Sequence, residues 1–533
     1  MNNMEKFMGK SKKANRIEED NIIQINKKKC IGCTACAFTC AQETKMAILK
    51  EVDSGRKTVD TKSGGFGASG CLYCGQCTLA CPTEAIDVRN DVDLVKEALS
   101  SGKYLVLTAS PAVKATLGEE FNLPIGTYVG GKIAPSAKKL GFQKVFNTEF
   151  GNDMTVVEES SEFIKRIANK EKLPMFTSFC PSFIRYAEIY HPEILDNIST
   201  AKSPQQMMGA GIKTYFADVY NILPTNIVVV SVQPCSAKKY EADKEDMGRD
   251  GYKDIDIVLT VKEYANLLKE KGIDITAIPD EKPDDFMGEY TGAAALFGMS
   301  QGAMQAIFRT VMSYLKNDIS EAENMILKPV EGYKGIEEVS VILGNKNCKV
   351  AVVNGLKEIE KFLVSNKWKE YYFIEVVACN GGCINGGGTP RISAKSQINE
   401  NICISCGTCI QNCPVNAIQY NVRGRAEVKE EECVGCKLCN NVCRAKAVQV
   451  KCYNKSSNEL LGKDYKILRA DILRNIDKKS IKRVSDENEN LENMYKSYIG
   501  DPNSTRAESL FHTSYIDKSN EFRNNNTKKR RRH

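Results

Sequence analysis

The sequence predicts an α/β protein with a large central domain and two small α+β modules that are rich in cysteine. Residues 100–390 alternate between short apolar runs, typical of strands, and longer amphipathic runs, typical of helices. This alternation favours largely parallel sheets flanked by helices. Four runs of closely spaced cysteines, two before residue 82 and two after residue 402, define the small modules.

Composition limits the class of protein. The 533 residues include 22 cysteines, and the net charge of +7 falls to +2 without the last six residues, KKRRRH. The N-terminus has no apolar signal region, and runs such as IVVVSV (227–232) are too short to span a bilayer. We therefore expect a cytoplasmic protein that binds no membrane and no nucleic acid, with disordered ends at 1–19 and 521–533.

The four cysteine runs share the spacing C-x2-C-x2-C-x3-C, which is that of bacterial two-cluster ferredoxins. In this pattern three cysteines of a run bind one [4Fe–4S] cluster, and the fourth binds the cluster of the neighbouring run. Zinc favours paired knuckles or histidine ligands, and none of the three histidines lies in a run. The runs therefore predict two ferredoxin-like two-cluster modules, at residues 20–95 and 398–452.

This pattern, called the crossed pattern because the fourth cysteine of each run binds the cluster of the neighbouring run, assigns sixteen cysteines to four sets. Each set is named by the first cysteine of the run that supplies three of its ligands. The sets are Cys30, Cys33, Cys36 and Cys81; Cys71, Cys74, Cys77 and Cys40; Cys403, Cys406, Cys409 and Cys443; and Cys433, Cys436, Cys439 and Cys413. Cys348 and Cys452 have no motif around them.

A fifth set comes from the central domain. One predicted strand ends on Cys235, another ends on Cys379 and Cys383, and Cys180 follows the short apolar run LPMF. Ligands of parallel sheets bind in the loops beyond the strand ends, so these thiolates predict one more [4Fe–4S] cluster, the Cys180 set. The alternative, unrelated buried cysteines, fits poorly with the glycine-rich stretch ACNGGCINGGGTP.

Three segments of this domain resemble the signature motifs of the [FeFe]-hydrogenase catalytic domain. They are TSFCPSF (177–183), QPCSAKKYEAD (233–243) and EVVACNGGCINGGGTP (375–390), and the resemblance extends over residues 100–392. Residues 460–520 resemble the C-terminal or small-subunit segment of that family. The second ferredoxin-like module is thus expected to be an insertion.

The resemblance implies an H-cluster. The Cys180 set would bind its [4Fe–4S] part, and Cys383 would bridge to a diiron subsite that carries CO, cyanide and azadithiolate. Lys238 would donate a hydrogen bond to a cyanide. The residues that would enclose the diiron unit are Ser110, Pro111, Ala112, Pro204, Gln205, Gln233, Pro234, Phe297, Gly298 and Val377. Gln233 and Val377 stand where the family usually has methionine.

The resemblance also implies a proton path through Glu159, Ser199, Glu162 and Arg166. The two glutamates and the arginine lie on one face of a predicted helix, and by spacing alone they could equally be a solvated ion-pair face. Phe179 occupies the innermost position, where the family has cysteine. Phenylalanine carries no exchangeable proton, so the path is interrupted at its first step.

Three functions are compatible with these residues. The first is a hydrogenase that uses H2 and protons, is slow or has an altered proton path, and exchanges electrons with ferredoxin or another redox protein. The second is a regulatory H2-binding sensor. The third is an iron–sulfur assembly or electron-transfer protein without a diiron site, in which Lys238 would have no evident task.

Further expectations concern cofactors and partners. Five [4Fe–4S] clusters are predicted, and maturation proteins would be needed for the diiron subsite. The extra module suggests either a second electron entry point or a redundant relay, in a monomer or a redox complex. No GxGxxG motif occurs in a βαβ context, so no nicotinamide or flavin site is expected.

Overall fold

The computed structural model describes residues 22–454, 457 and 459–520. The ends predicted to be disordered, 1–19 and 521–533, lie outside the described residues. The N-terminal module is built from two small antiparallel sheets, β1 with β4 and β2 with β3, around two short helices. Its elements are β1 (Ile23–Ile25), α1 (Ala35–Thr44), β2 (Leu49–Asp53), β3 (Lys57–Thr61), α2 (Gln76–Ala80) and β4 (Ile86–Val88).

The central domain contains two sheets with helices around them. Its elements are α3 (Val92–Leu99), β5 (Tyr104–Ala109), α4 (Pro111–Thr116), α5 (Gly130–Leu140), β6 (Lys144–Asn147), α6 (Thr148–Asn169), β7 (Met175–Phe176), α7 (Pro181–Tyr190), α8 (Pro204–Gly211), α9 (Ala217–Val219), β8 (Ile227–Gln233), α10 (Ala237–Asp243), β9 (Gly248–Arg249), β10 (Tyr252–Lys253), β11 (Ile257–Thr260), α11 (Val261–Glu270), α12 (Gly292–Ala295), α13 (Gly302–Tyr314), α14 (Ser320–Glu323), β12 (Lys328–Pro329), β13 (Ile336–Leu343), β14 (Lys346–Asn354), α15 (Leu356–Val364) and β15 (Phe373–Val377).

The first sheet is fully parallel, in the order β11-β8-β5-β6. All seven residues of β8 are buried, as its continuous apolar sequence predicts for a strand covered on both faces. The second sheet has the order β12-β13-β14-β15-β7 and is mixed. Its β14, β15 and β7 are parallel, whereas β12 and β14 each run antiparallel to β13. The predicted α/β class with largely parallel sheets is confirmed.

The second cysteine-rich module follows the last strand of the central domain. It contains β16 (Ser393–Ile398), α16 (Thr408–Gln411), β17 (Ile418–Tyr420), β18 (Ala426–Val428), α17 (Leu438–Val442) and β19 (Val448–Tyr453). Its first and last strands, β16 and β19, pair antiparallel over six residues, so the chain enters and leaves the module at one place. This pairing explains how the module is accommodated as an insertion.

The C-terminal segment wraps back onto the central domain. Its helices are α18 (Tyr465–Lys479), α19 (Glu489–Met494) and α20 (Thr505–Phe511). Helix α18 packs on α12 and α4, and α20 packs on α8. A buried ion pair joins Arg469 of α18 to Glu119, with N–O distances of 2.8 and 2.6 Å. Among the described residues, no helix combines the length and the apolar character that crossing a membrane requires.

Candidate functional site

Two cavities in the N-terminal module are lined by the cysteines that the crossed pattern predicts. One is lined by Cys30, Cys33, Cys36 and Cys81. The other is lined by Cys40, Cys71, Cys74 and Cys77. None of the 22 cysteines, all of which lie in the described part of the chain, forms a disulfide. Each cavity therefore brings together four free thiols, which fits one [4Fe–4S] cluster per set.

Burial strongly raises the pKa of several of these thiols. Desolvation raises the pKa of Cys36 to about 12, and it raises the pKa of Cys74 and Cys77 well above the ordinary thiol value. Neighbouring thiolates add to these shifts by repulsion. Bound iron ions would reverse this penalty because they favour the thiolate form. The donor set thus fits a cationic iron–sulfur core.

The inserted module repeats the local geometry of the N-terminal one. The Cys81 thiol accepts a hydrogen bond from the backbone N–H of Ala85, at 3.2 Å. In the inserted module, Cys413 accepts from Ala417 at 3.2 Å and Cys443 accepts from Ala447 at 3.3 Å. The two modules therefore present the last cysteine of a run in the same way.

A larger cavity in the central domain is bordered by the Cys180 set. Cys180 precedes α7, Cys235 lies between β8 and α10, and Cys379 and Cys383 follow β15. All ten predicted enclosing residues line this cavity, together with Phe179 and Lys238. The lining residues that the sequence did not identify are Thr148, Asn152, Pro181, Ser182, Ala378 and Gly386.

Several polar atoms of the cavity lining are buried and have no hydrogen-bond partner. They are Ser110 Oγ, Thr148 Oγ1 and Gln205 Oε1. Buried polar atoms are normally satisfied, so these three fit a bound group with polar ligands. Around them stand apolar side chains such as Pro111, Phe297 and Val377. This mixture fits a compact group that carries both apolar and hydrogen-bonding ligands, such as the diiron subsite.

Lys238 is buried at the cavity and is held by two partners. Its Nζ donates to the carbonyl oxygen of Phe179 at 3.1 Å, and to the Glu241 carboxylate at 3.0 and 3.1 Å. The Gln205 Nε2 donates to the same carboxylate at 3.2 Å. Our expectation that Lys238 has no task without a diiron unit was therefore wrong, because Glu241 pairs with it. The ion pair instead fixes the ammonium at the cavity wall.

Gln233 and Val377, which stand where the resemblance predicts methionine, contribute to the cavity in different ways. Gln233, at the end of β8, donates from Nε2 to Ser231 Oγ at 2.9 Å, so its amide is already engaged within the sheet. Val377 is buried at the end of β15 and contributes only apolar surface to the cavity.

Helix α6 carries the predicted proton path on a buried face. Glu159, Glu162 and Arg166 are 0, 7 and 5% exposed, so a solvated ion-pair face is excluded. The Arg166 guanidinium donates to Glu162 at 2.6 and 3.0 Å, and Ser199 Oγ donates to the other carboxylate oxygen at 2.7 Å. The structure thus joins Ser199, Glu162 and Arg166 in one chain of hydrogen bonds.

Glu159, one turn before Glu162 on α6, contacts Ser178, which directly precedes the cavity-lining Phe179. Its Oε1 accepts from the Ser178 N–H and lies 3.0 Å from Ser178 Oγ. Its Oε2 is buried without a partner. Burial raises the pKa of Glu159 to about 7, and the hydrogen bonds from Ser178 oppose that shift. Glu159 therefore has a proton affinity suited to exchange near neutral pH.

Phe179, the residue after Ser178, places an aromatic ring at the wall of the cavity. The ring is 5% exposed and packs edge-on against Phe297, with 5.5 Å between the ring centroids. Only the backbone carbonyl of Phe179 takes part in polar contacts, through Lys238. No exchangeable proton is present on this side chain at the cavity wall.

Besides the six lining residues named above, sequence reasoning missed two residues that contact the predicted site. Gln76 of α2 donates from Nε2 to the sulfur of Cys379 at 3.4 Å and to the Asn385 carbonyl at 3.0 Å. Tyr515, in the C-terminal segment, donates to the carbonyl of Ser199 at 2.6 Å. Gln76 lies between Cys74 and Cys77, which was the only signal that could have singled it out.

Comparison with known proteins agrees with this architecture. Family models match residues 103–387 (iron only hydrogenase large subunit, C-terminal domain), 463–518 (iron hydrogenase small subunit), and 29–85 and 396–450 (4Fe-4S dicluster domains). The chain is 36% identical to iron hydrogenase 1 of Clostridium pasteurianum, over 96% of this chain and 78% of that protein.

Two further similarities bear on the site. A cytosolic Fe-S cluster assembly factor of Xenopus tropicalis is 31% identical over 62% of this chain and 73% of its own length. The solved structure of a variant of the [FeFe]-hydrogenase HydA1 from Chlamydomonas reinhardtii is 27% identical and superposes with a TM-score of 0.60, covering 79% of this chain and 98% of that one. Since the hydrogenase domain model covers more than half of the sequence, the chain belongs to the iron-only hydrogenase family.

Proposed function

We propose that this protein is a hydrogenase that interconverts H2 with two protons and two electrons at the central cavity. The observation that carries the proposal is the cavity itself. Four cysteines from three loops border it, its walls are largely apolar, and three buried polar atoms in its lining lack partners. An electron-transfer protein would need the cysteines but not the space beside Cys383.

The cysteine sets would hold five [4Fe–4S] clusters, and Cys383 would bridge to the diiron subsite with its CO, cyanide and azadithiolate ligands. When bound, the diiron group supplies the metal at which H2 is formed or cleaved, and the clusters supply single-electron transfer. An external one-electron carrier and maturation proteins for the diiron subsite are the partners that this function requires. The number of free cysteines is consistent with a reducing cytoplasm.

The side chains of the cavity would exclude water and position charge. Pro111, Phe297 and Val377 keep the lining apolar, and the Glu241 carboxylate fixes the Lys238 ammonium beside it. A fixed buried cation would favour a bound anionic ligand such as cyanide.

Proton movement is the step at which this chain departs from its family. Glu159 would hold a proton near neutral pH, and Glu162 with Arg166 would form the outer part of the path. Phe179 has no group that can accept a proton from Glu159. We therefore propose slow turnover or an altered proton path.

Infrared spectroscopy of the matured protein tests the proposal. CO and cyanide bands, together with H2 evolution from a reduced viologen, are the expected result. Iron analysis should give roughly 22 atoms per chain, four for each of five clusters and two for the diiron subsite. Cubane iron without CO or cyanide bands would contradict a hydrogenase function.

Three observations are compatible with competing functions. The similarity to a cytosolic Fe-S cluster assembly factor and the pairing of Lys238 with Glu241 are compatible with a protein that never binds a diiron unit. Phe179 is compatible with an H2 sensor, whose task needs binding rather than rapid proton transfer. A sensor would show the infrared bands but would stay slow when a proton carrier is restored at position 179.

A further inference from the structure

The inserted module touches the N-terminal module through two cluster-binding cysteines. Cys33 and Cys436 pack together with Ala35 in one small buried cluster. Partly buried aliphatic side chains surround this contact, namely Ile31, Val434 and Leu438. Because Cys33 belongs to the Cys30 set and Cys436 to the Cys433 set, two sets from different modules meet directly through their ligands.

Arg391 fixes this contact from the side. Its Nη1 donates to the Pro82 carbonyl and its Nη2 to the Val434 carbonyl, both at 3.0 Å. Each carbonyl belongs to the residue directly after a cysteine of one of the two sets. One planar guanidinium therefore holds both sets at a defined separation.

Backbone packing next to the contact is equally close. Gly435 has φ +67°, and a Cβ at this position would lie 2.1 Å from the carbonyl oxygen of Ala394. Only glycine therefore allows the loop that carries Cys436 to lie against β16.

At the inner end of the cysteine array, the N-terminal module adjoins the central cavity. Gln76 contacts the Cys379 sulfur, and Thr78 of the same helix donates to the Gly387 carbonyl at 3.1 Å. Gly75 and Gly387 pack backbone to backbone, since a Cβ on Gly387 would lie 2.3 Å from the Cα of Gly75. The Cys71 set is thus the one next to the Cys180 set.

At the outer end, the Cys403 set reaches the surface. Cys406 is the one exposed cysteine of the 22. Large exposed apolar side chains lie in the same half of the module, namely Ile402, Ile404, Tyr420 and Val422. The exposed Arg444 directly follows Cys443, a member of the same set, and Arg425 donates to the carbonyl of Cys403. This end combines apolar surface with positive charge.

We propose that the inserted module extends the electron relay in series through the Cys33–Cys436 contact, and that the surface around Cys406 docks a small acidic one-electron carrier protein. The order from the surface inward is the Cys403, Cys433, Cys30, Cys71 and Cys180 sets. The inference rests on the proposed function only in requiring that these sets bind clusters. Each docking event oxidises one reduced carrier by one electron and reduces this chain by one electron, so two events supply the pair needed for one H2.

Stopped-flow reduction of the full-length, cluster-loaded protein tests the docking surface. The readout is bleaching of the iron–sulfur absorption, and the probes are a reduced small acidic ferredoxin and reduced methyl viologen. Arg444→Glu keeps every cysteine, and we expect it to slow reduction by ferredoxin about tenfold at low salt because it removes electrostatic steering. Reduction by the cationic viologen should not slow. Lys478→Glu, the same charge reversal on the exposed face of α18, should leave both rates unchanged.

The serial order is tested by Cys406→Ala, with Cys452→Ala as the matched control in the same module. We expect Cys406→Ala to lose the fast phase of ferredoxin-driven bleaching at all inner clusters, while dithionite still reduces them. In electron paramagnetic resonance of the reduced protein, Arg391→Ala should weaken the magnetic coupling between clusters of the two modules. An unchanged ferredoxin rate in both Cys406→Ala and Arg444→Glu would overturn this inference alone. A wild type that binds no cluster iron would overturn the proposed function as well.

Discussion

At the scale of single residues, we expect Phe179 to limit how fast protons reach the cavity. Phe179→Cys places a thiol at the wall of the cavity, and Ser199, Glu162 and Arg166 of the path are already joined by hydrogen bonds. We expect H2 evolution to rise by up to about 10²–10⁴-fold, the usual contribution of a positioned acid–base group. The measurement is H2 evolution from reduced methyl viologen by matured wild type and variant with equal infrared CO band intensity.

Phe179→Leu is the control for that experiment, because it changes the size of the side chain without adding a proton carrier. Its rate should stay near that of the wild type. Equal rates for Phe179→Cys and a wild type that is already fast would show that protons leave by another route. Ser178, whose hydroxyl lies 3.0 Å from Glu159, would then be the first group to replace.

A second prediction at this scale concerns the pKa of Glu159. Burial raises the pKa of Glu159 from the ordinary value of 4.5 to about 7. Between these two pH values the carboxyl group is therefore protonated in the folded protein but ionised in the unfolded chain. Because the native state binds the extra proton in that window, stability falls as the pH rises through it. The carboxylic acid carbonyl band of Glu159 should likewise disappear as the pH rises through about 7, and it should be absent from Glu159→Gln.

Glu375 is the matched control for Glu159. It lies in β15 and is also fully buried, with a pKa raised to about 7 by desolvation, but its carboxylate accepts from the backbone N–H groups of Gln301 and Met304 at the start of α13. Each Gln variant should remove one carbonyl band. Only Glu159→Gln should lower H2 evolution, by about 10²–10⁴-fold. Equal losses in both variants would contradict a role for Glu159 in proton transfer.

At the scale of secondary-structure elements, the short helix α2 joins the N-terminal module to the central domain. Gln76 donates a hydrogen bond to Cys379 Sγ, and donors to ligand sulfurs stabilise the reduced cluster. Gln76→Leu should therefore lower the midpoint potential of the cluster at the Cys180 set. A hydrogen bond of about 1 kcal/mol corresponds to about 40 mV for one electron.

Potentiometric titration followed by electron paramagnetic resonance measures that shift. Gln411→Leu is the control, because Gln411 lies in α16, near the outer end of the inserted module. Its substitution should leave the potential of the Cys180 set unchanged. A midpoint that does not fall in Gln76→Leu would mean that this contact does not tune the cluster.

The comparison of sequence and structure is clearest at this scale. Cysteine spacing within a run fixes local loop geometry, which is why the sets of the N-terminal module could be read from the chain. The strand ends delivering Cys235 and Cys379 were predictable from apolar runs. Contacts between distant segments were not, because Gln76 and Cys379 are 303 residues apart and no local pattern encodes their approach. Lys238 and Glu241 are only three residues apart on α10, but the sequence did not show that this face of the helix is buried against the cavity.

At the scale of the whole molecule, the N-terminal module and the C-terminal segment both contact the loops that border the central cavity. The N-terminal module reaches it through Gln76, and the inserted module begins ten residues after Cys383. The C-terminal segment covers the opposite side, where Arg469 contacts the carbonyls of Ile384 and Pro390 that flank the glycine-rich loop. The segment therefore supports the loop that presents Cys383, in addition to covering apolar surface.

The Arg469–Glu119 ion pair is the strongest test of that support. Both side chains are buried, at 1 and 8% exposure. Arg469→Met leaves Glu119 buried without its cation, and we expect it to lower the free energy of unfolding by about 3–5 kcal/mol. The double variant Arg469→Met with Glu119→Leu removes both charges and should regain most of that loss. Denaturant unfolding of the cluster-loaded protein measures both effects.

Arg474→Ala is the control on the same helix, since its pair with Asp471 is exposed and should contribute less than about 0.5 kcal/mol. If Arg469→Met weakens the infrared CO bands of the matured protein only by breaking the ion pair, the double variant should restore these bands as well as stability. If its contacts with Ile384 and Pro390 hold the loop of Cys383 in place, stability should recover while the bands stay weak or shifted. We expect the second result, because no substituted side chain restores a donor to those two carbonyls.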